Sequence, residues 1–198
     1  MKKIIYSSII TFLIIANTSC TKEAEVTTKT VASQSALNAQ SVRAHYIGEH
    51  FGGGIIFYID QSGKHGLIAA FADFEEASVW SRKDTINGVK ATALGKGLVN
   101  TNKIFKTQGA PQYEADSYAA NECLGLQENG YQDWYLPAKD ELNELYKQKN
   151  AVGGFTLFAY WSSSEADAST AWFQNFGSGE QSTELKIASY ALRPVRKF

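Results

Sequence analysis

The chain has 198 residues and a formal net charge of −1, with 19 Lys and Arg, 20 Asp and Glu, three His and two Cys. This length fits one domain with a short appendage, and the near-zero charge argues against a nucleic-acid binder that neutralises phosphates. Hydrophobic residues make up 44% of the chain, which excludes a wholly disordered protein. Two cysteines exclude a disulfide-dense scaffold and a four-cysteine zinc site.

The first twenty residues have the pattern of a signal peptide. Two lysines precede an apolar run from Ile4 to Ala16, which as a helix would rise about 20 Å, short of the roughly 30 Å hydrocarbon core of a bilayer. Small residues then lead to Cys20, as at a bacterial lipoprotein cleavage site. The sequence predicts a signal peptide at 1–19 and lipidation of Cys20. Ordinary signal cleavage is the alternative, because Asn17 stands where Leu is usual.

Residues 20–44 are rich in Thr, Ser, Ala, Gln and Lys and contain no aromatic residue. This composition predicts a flexible tether. Thr21 is not the Asp that resembles an inner-membrane retention signal, so we expect a lipid anchor in the outer membrane, with the domain at the cell surface or facing the periplasm. The charged stretch Lys22–Glu25 resembles a surface-export tag and fits a solvated tether equally well.

The folded domain is predicted to begin at His45, where the composition changes and aromatic residues and glycine become frequent. An apolar, β-branched run at Ile55–Asp60 follows a triple glycine and predicts a strand. A turn separates it from a second predicted strand at Gly66–Ala70. The two strands and the turn between them indicate a hairpin. The triple glycine lacks the GxxxxGK[ST] pattern of a phosphate loop, so it is interpreted as a turn.

The remainder of the domain is predicted to be mixed. Residues 81–113 carry few apolar anchors and read as long loops, whereas helical periodicity predicts helices at 115–127 and 138–149. Ala138 has no side-chain hydroxyl to cap the N-terminus of the second predicted helix, and this is expected to lower stability by about 1 kcal/mol. Further strand-like segments are 160–163, 171–176, 185–189 and 190–196. This order predicts an α+β fold with a mainly antiparallel sheet, two helices, and the N- and C-terminal strands adjacent.

A series of short motifs occurs in order through the domain. They are Gly53–Ile59, Lys64–Ala70, Gly130–Pro137, Asp140–Leu142, Tyr160–Glu165, Ala171–Trp172 and Leu192–Arg196. The series resembles the Lcl C-terminal domain family, which is named from a collagen-like bacterial adhesin. The resemblance covers nearly all of 46–198, and most members of the family have no assigned function.

That family is similar to the C-type lectin-like superfamily, so the resemblance implies a C-type lectin-like fold for residues 45–198. It also implies that Asp133–Pro137 and Leu192–Arg196 are mainly structural. The physical interpretation agrees for Trp134, whose large ring predicts a core position just ahead of the second helix. A shared fold does not by itself assign a function.

The resemblance further implies that a ligand face lies in the loops after the helices, here roughly 161–181. Strand alternation puts Trp172, Gln174 and Phe176 on one face of the predicted strand. Aromatic rings beside amide and hydroxyl groups suit a sugar or a peptide, although an ordinary sheet with a hydrated outer face explains each residue taken singly. The candidate ligand-binding residues are Ser164, Glu165, Asp167, Trp172, Gln174, Asn175, Ser178 and Gln181.

Neither a metal site nor a catalytic centre is predicted. Glu165 and Asp167 form an acidic pair that could attract calcium, but the Glu-Pro-Asn and Trp-Asn-Asp motifs of sugar-binding lectins are absent. The histidines lack zinc-site spacing, and no nucleophile–base pair stands out. Cys123 is predicted to be a small buried hydrophobe in a helix. We therefore expect no enzymatic activity and no cofactor, with calcium as a minor alternative.

The leading hypothesis is a membrane-anchored lipoprotein of the cell envelope whose domain binds a glycan, a peptide or a matrix polymer, with a role in adhesion. The alternative is a structural or assembly component that contacts another envelope protein through the same face. Neither hypothesis involves nucleic acid.

Overall fold

The computed structural model describes residues 44–83, 87–155 and 158–198. The predicted signal peptide, Cys20 and the tether up to residue 43 lie outside the described residues. Ala44–Phe198 forms one compact unit. No helix within the described ranges has the length and apolar character needed to span a bilayer.

Nine strands are described. In chain order they are β1 (His50–Phe51), β2 (Gly54–Ile59), β3 (Gly66–Ala69), β4 (Ser78–Val79), β5 (Ala159–Glu165), β6 (Thr170–Asn175), β7 (Gln181–Leu185), β8 (Ser189–Tyr190) and β9 (Val195–Lys197). The described helices are α1 (Gly97–Gln108), α2 (Ala119–Gly125), α3 (Lys139–Lys147) and α4 (Lys149–Val152), with a 3-10 turn at Glu114–Asp116. All pairings between these strands are antiparallel. The prediction of a mixed fold with mainly antiparallel sheets is confirmed.

The strands form three sheets, with the orders β1-β2-β3-β9, β4-β8 and β5-β6-β7. The first sheet is buried on both faces. Ile55 and Phe57 belong to one apolar cluster, whereas Ile56 belongs to another that contains Trp134. Burial on both faces explains why β2 is a continuous apolar run instead of an alternating one. The core position predicted for Trp134 is confirmed.

The N- and C-terminal strands were predicted to be adjacent, and this prediction is wrong, because the last strand pairs with the third. β9 pairs with β3 through Val195 and Ala69, and Val195 also forms an isolated bridge with Tyr135. β3 presents buried alanine and leucine at this edge, which allows the close approach of the final strand. The C-terminal strand is therefore held between β3 and the segment ahead of α3.

Helix α1 lies within residues 81–113, which were predicted to form long loops. Its buried positions are Gly97, Asn100, Thr101 and Ile104, a helical spacing in which most members are polar or small. The Asn100 amide donates to the Ala91 carbonyl at 2.7 Å, and the Thr101 hydroxyl lies 3.1 Å from the Leu136 carbonyl. The helix buries hydrogen-bonded polar groups in place of an apolar stripe, and this is why hydrophobic periodicity missed it.

The N-terminus of helix α3 is capped by a side chain of strand β5, since Ala138 has no side chain that can do so. The Lys139 backbone N–H donates to Ser164 Oγ of β5 at 3.0 Å. At the same turn, the Ala138 N–H donates to the Glu141 carboxylate at 2.8 Å. The expected energetic cost of Ala138 at the cap is therefore offset, because both orphan donors are satisfied.

Candidate functional site

Three of the predicted ligand-binding residues are buried and engaged inside the protein, so the expectation that they form an exposed surface was wrong. Ser164 caps α3 and donates its hydroxyl to the Ala91 carbonyl at 2.8 Å. Gln174 is fully buried, and its amide donates to Asn143 Oδ1 on α3 at 3.0 Å. Glu165 is 2% exposed and forms an ion pair with Lys186 at 2.7 Å.

Four further predicted residues shape the ends of the β5-β6-β7 sheet. Asp167 Oδ1 accepts the backbone N–H groups of residues 169 and 170, and Asn175 Oδ1 accepts those of residues 177 and 178. Ser178 Oγ accepts a backbone N–H at 3.3 Å. Gln181 donates its amide to the Lys139 carbonyl at 2.9 Å. Each side chain has a structural hydrogen bond that accounts for its residue type.

Trp172 is the large aromatic residue of the predicted patch, and it is partly buried. The Lys139 ammonium lies 3.8 Å from the centroid of its ring, in the range of a cation–π contact. The cation therefore covers one face of the indole. A ligand at Trp172 would have to use the remaining part of the ring or displace Lys139.

The two acidic residues considered as calcium ligands lie in different environments. The Glu165 carboxylate accepts the backbone N–H groups of Asn87 and Gly88 at 2.8 and 2.9 Å in addition to Lys186. Burial raises the pKa of Glu165, but the hydrogen bonds from Asn87 and Lys186 outweigh this and keep the pKa below its ordinary value. Asp167 is exposed. Within the described ranges, no three His, Cys, Asp or Glu side chains gather as a metal site.

A cleft of about 450 Å³ lies elsewhere, between the loop after β3, the start of β5, and β8. We call it the aromatic cleft. Its lining includes Phe74, Phe158 and Tyr190 together with the polar residues Glu75 and Ser189. Phe158 is 71% exposed. Concave, largely apolar sites with a few convergent polar groups are the usual form of small-ligand sites, and the volume is within their range.

The walls of the aromatic cleft are held by buried contacts. The Tyr190 ring packs 4.7 Å from Trp161 and 4.8 Å from Phe173, measured between centroids. Burial, assisted by the Glu184 carboxylate, raises the pKa of Tyr190. Asp73, also on the lining, accepts hydrogen bonds from Arg193 and Tyr160 at 2.6 Å each. The cleft is thus a preformed feature of the fold.

The aromatic cleft is not on the face predicted from the sequence. Phe173, which contacts Tyr190, alternates with Trp172 along β6, so the two side chains point to opposite faces of the sheet. The lining comes from three segments that are far apart in the sequence, and none of them carries a local motif. The available signal was composition alone, since Phe74 and Phe158 are aromatic residues outside the predicted strands and helices.

Cys123 is fully buried in α2, as predicted from its helical pattern. Burial and the neighbouring Glu122 raise the pKa of its thiol well above the ordinary value. A thiol that stays protonated is a poor nucleophile. The position and the chemistry agree with a packing role.

Comparison with known proteins assigns the domain to a family. The sequence model of the Lcl C-terminal domain matches residues 69–196, which confirms the resemblance noted from the sequence. No protein among curated sequences matches the chain. Among solved structures, a fimbrial protein from Bacteroides ovatus ATCC 8483 is similar with 13% identity and a TM-score of 0.47. The match covers 78% of this chain and 45% of that one, so the chain spans less than half of its length.

Proposed function

The chain belongs to the Lcl C-terminal domain family, and from this premise we propose that it is a cell-surface lipoprotein whose domain binds a glycan in the aromatic cleft without catalysing a reaction. The domain is proposed to have a C-type lectin-like fold. The observation that carries the proposal is the cleft itself, where an exposed Phe158 and a fixed Tyr190 stand beside Glu75 and Ser189. No metal or cofactor is required by this proposal.

The chemistry of the lining favours a sugar over other ligands. Aromatic rings supply flat apolar surface for the C–H face of a pyranose ring, and a carboxylate and a hydroxyl can bond to its hydroxyl groups. A peptide without aromatic or basic side chains would use the rings less well. Binding of a glycan on the surface of a cell or matrix would give the protein an adhesive role.

The replacement Phe158→Ala is expected to weaken binding of neutral oligosaccharides at least tenfold while leaving the melting temperature nearly unchanged. The side chain is 71% exposed, so it contributes little to the core, whereas an exposed aromatic ring at a binding site commonly contributes more than 1 kcal/mol to affinity. The measurement is binding to a broad glycan and matrix-polymer panel, with and without calcium.

Two further variants make this result specific. Tyr113→Ala removes a ring that is 66% exposed and outside the cleft, so binding should not change. Trp172→Ala tests the surface predicted from the sequence, and loss of binding only in this variant would place the ligand there. A folded protein that binds no glycan but co-purifies with an envelope protein would contradict the proposal in favour of an assembly role.

Lipid anchoring through Cys20 has its own test. The variant Cys20→Ser is expected to shift the full chain from the membrane fraction to the soluble fraction of cells, because acylation supplies the hydrophobic anchor that holds it. Cell fractionation followed by immunoblotting makes the measurement. Membrane association that persists in the variant would contradict the lipoprotein proposal, whereas an unaltered chain found in the soluble fraction would indicate ordinary signal cleavage.

A further inference from the structure

A lysine, a glutamate and an asparagine meet in the interior beside β5. Lys186 follows β7, Glu165 ends β5, and Asn87 precedes α1. We call these residues the Lys186 cluster. The Lys186 and Glu165 side chains have no solvent exposure, and Asn87 is 2% exposed. The three side chains come from distant parts of the chain, so the fold alone brings them together.

One carboxylate oxygen joins the two nitrogen-bearing groups. Glu165 Oε1 accepts Lys186 Nζ at 2.7 Å and Asn87 Nδ2 at 3.1 Å. A carboxylate only accepts hydrogen bonds, so the Asn87 atom that faces it is the amide nitrogen and not the oxygen. The amine and the amide therefore share a single proton acceptor.

The oxygen of the Asn87 side-chain amide is also hydrogen-bonded. Asn87 Oδ1 accepts the side-chain N–H of Gln108, on α1, at 2.9 Å. A hydrogen bond to this oxygen polarises the carbonyl and stabilises negative charge that forms on it during attack by a nucleophile. The Trp80 ring lies 5.0 Å from Lys186 Nζ and adds an apolar wall to the cluster.

The ammonium and its proton acceptor are already in contact, because Lys186 Nζ lies 2.7 Å from Glu165 Oε1 in a site without solvent exposure. Transfer of a proton from Lys186 Nζ to Glu165 Oε1 removes both charges and produces a free amine. A neutral lysine amine in an apolar site is an effective nucleophile. Its fixed position next to an amide replaces a bimolecular encounter with an intramolecular one.

We propose that Lys186 and Asn87 become joined by an isopeptide bond, with Glu165 acting as the proton carrier. Lys186 Nζ gives a proton to Glu165 and attacks Asn87 Cγ, so that an Nζ–Cγ bond forms while Gln108 holds the oxygen. Glu165 returns a proton to Nδ2, and the Cγ–Nδ2 bond breaks. Glu165 is then a carboxylate again, and the ammonia that leaves takes up a second proton from Nζ as ammonium, so that one hydrogen remains on the new amide nitrogen. No oxidant, metal or second reactant is needed.

The bond would connect the segment ahead of α1 to the end of β7. It would close a covalent loop through most of the domain, which limits the extension of the unfolded chain in the way that a disulfide does. Unlike a disulfide, the link would persist in a reducing environment. We therefore expect the denatured protein to migrate faster than its unlinked variants on a reducing gel.

Peptide mapping of the purified full chain shows whether the isopeptide bond is present. Without the bond, trypsin releases peptides 84–90 and 150–186. With the bond, trypsin does not cleave after the acylated Lys186, and 84–90 is recovered joined to 150–196, lighter by one ammonia than the two peptides together. Fragment spectra should place the link between Asn87 and Lys186.

A competing reaction of the same asparagine gives the same loss of mass and must be distinguished from the isopeptide bond. Asn87 precedes Gly88, and such a pair can lose ammonia by closing a succinimide on its own backbone. That product has the same mass loss but remains a single peptide, 84–90. A succinimide, a deamidated Asn87, or two unlinked and unmodified peptides would each overturn the proposal.

Two variants separate the nucleophile from the proton carrier. Lys186→Arg keeps a cation next to Glu165 but has no amine able to form the bond, and Glu165→Gln keeps the shape but cannot accept the lysine proton. Neither variant should yield the joined peptides. If either fails to fold, the peptide map of the unaltered chain still decides, because it depends on no substitution.

Discussion

Replacing Arg193 by methionine is expected to lower the free energy of unfolding by about 3–5 kcal/mol, the usual cost of removing one partner of a buried ion pair. Arg193 has no side-chain exposure, and Asp73 is only 11% exposed. The guanidinium also donates to the Ala70 and Gly154 carbonyls at 3.0 and 2.7 Å. Methionine keeps the apolar stem, but it leaves the Asp73 carboxylate without its cationic partner and two carbonyls without the hydrogen bonds from the guanidinium. Urea denaturation measures the change in the free energy of unfolding when the dependence of that free energy on urea concentration is fitted for each protein.

Arg196 offers a matched control in the same segment. It pairs with Asp133 at 2.7 Å, but the Asp133 side chain is 54% exposed, so water screens the pair. Arg196→Met is therefore expected to cost about 1 kcal/mol or less. Equal losses in the two variants would contradict the assignment of the large effect to burial.

Trp134→Ala is expected to be as severe, with a loss of about 3–5 kcal/mol, because a fully buried indole leaves a large cavity. Trp134 has no exposure and packs in the cluster with Ile56 and Ile68. Its Nε1–H finds no hydrogen-bond partner among the described residues. Chemical denaturation of the variant, followed by circular dichroism, makes the measurement.

The unpartnered indole N–H allows a second comparison. Trp134→Phe removes a donor that is not used, whereas Trp80→Phe removes the bond from Trp80 Nε1 to the Ser162 carbonyl at 2.7 Å. Leaving that buried carbonyl unsatisfied adds about 1–3 kcal/mol to the cost. Trp80→Phe should therefore be the more destabilising of the two. The reverse order would show that the Trp134 N–H has a partner in solution.

Sequence patterns predicted the parts of the fold whose burial is apolar. β2 is read from its continuous hydrophobic run, and α3 from Leu142 and Leu145 on one helical face, both fully buried. α1 was missed because Asn100 and Thr101 occupy its buried face. Hydrophobic periodicity detects only surfaces that avoid water, so a helix buried through hydrogen bonds gives little signal.

The candidate site was predicted less well than the fold, for a related reason. Ser164 and Gln174 were predicted to belong to a ligand-binding face, because hydroxyl and amide groups beside aromatic rings suit a sugar or a peptide. Their partners, Lys139 and Asn143, lie on α3, and proximity between helix and sheet is a tertiary property that residue type does not encode. The aromatic cleft is equally non-local, since Phe74, Phe158 and Tyr190 meet only after the sheets have formed.

The position of β9 has a consequence for synthesis of the protein. β9 is translated after every element that it contacts, yet it pairs with β3 from the beginning of the domain and brings Val195 against Tyr135. The β1-β2-β3-β9 sheet therefore stays incomplete until residues Val195–Lys197 have emerged from the ribosome, and partners so distant in sequence close slowly. Completion of this sheet is therefore a late step of folding, because β3 has no partner at this edge before β9 arrives.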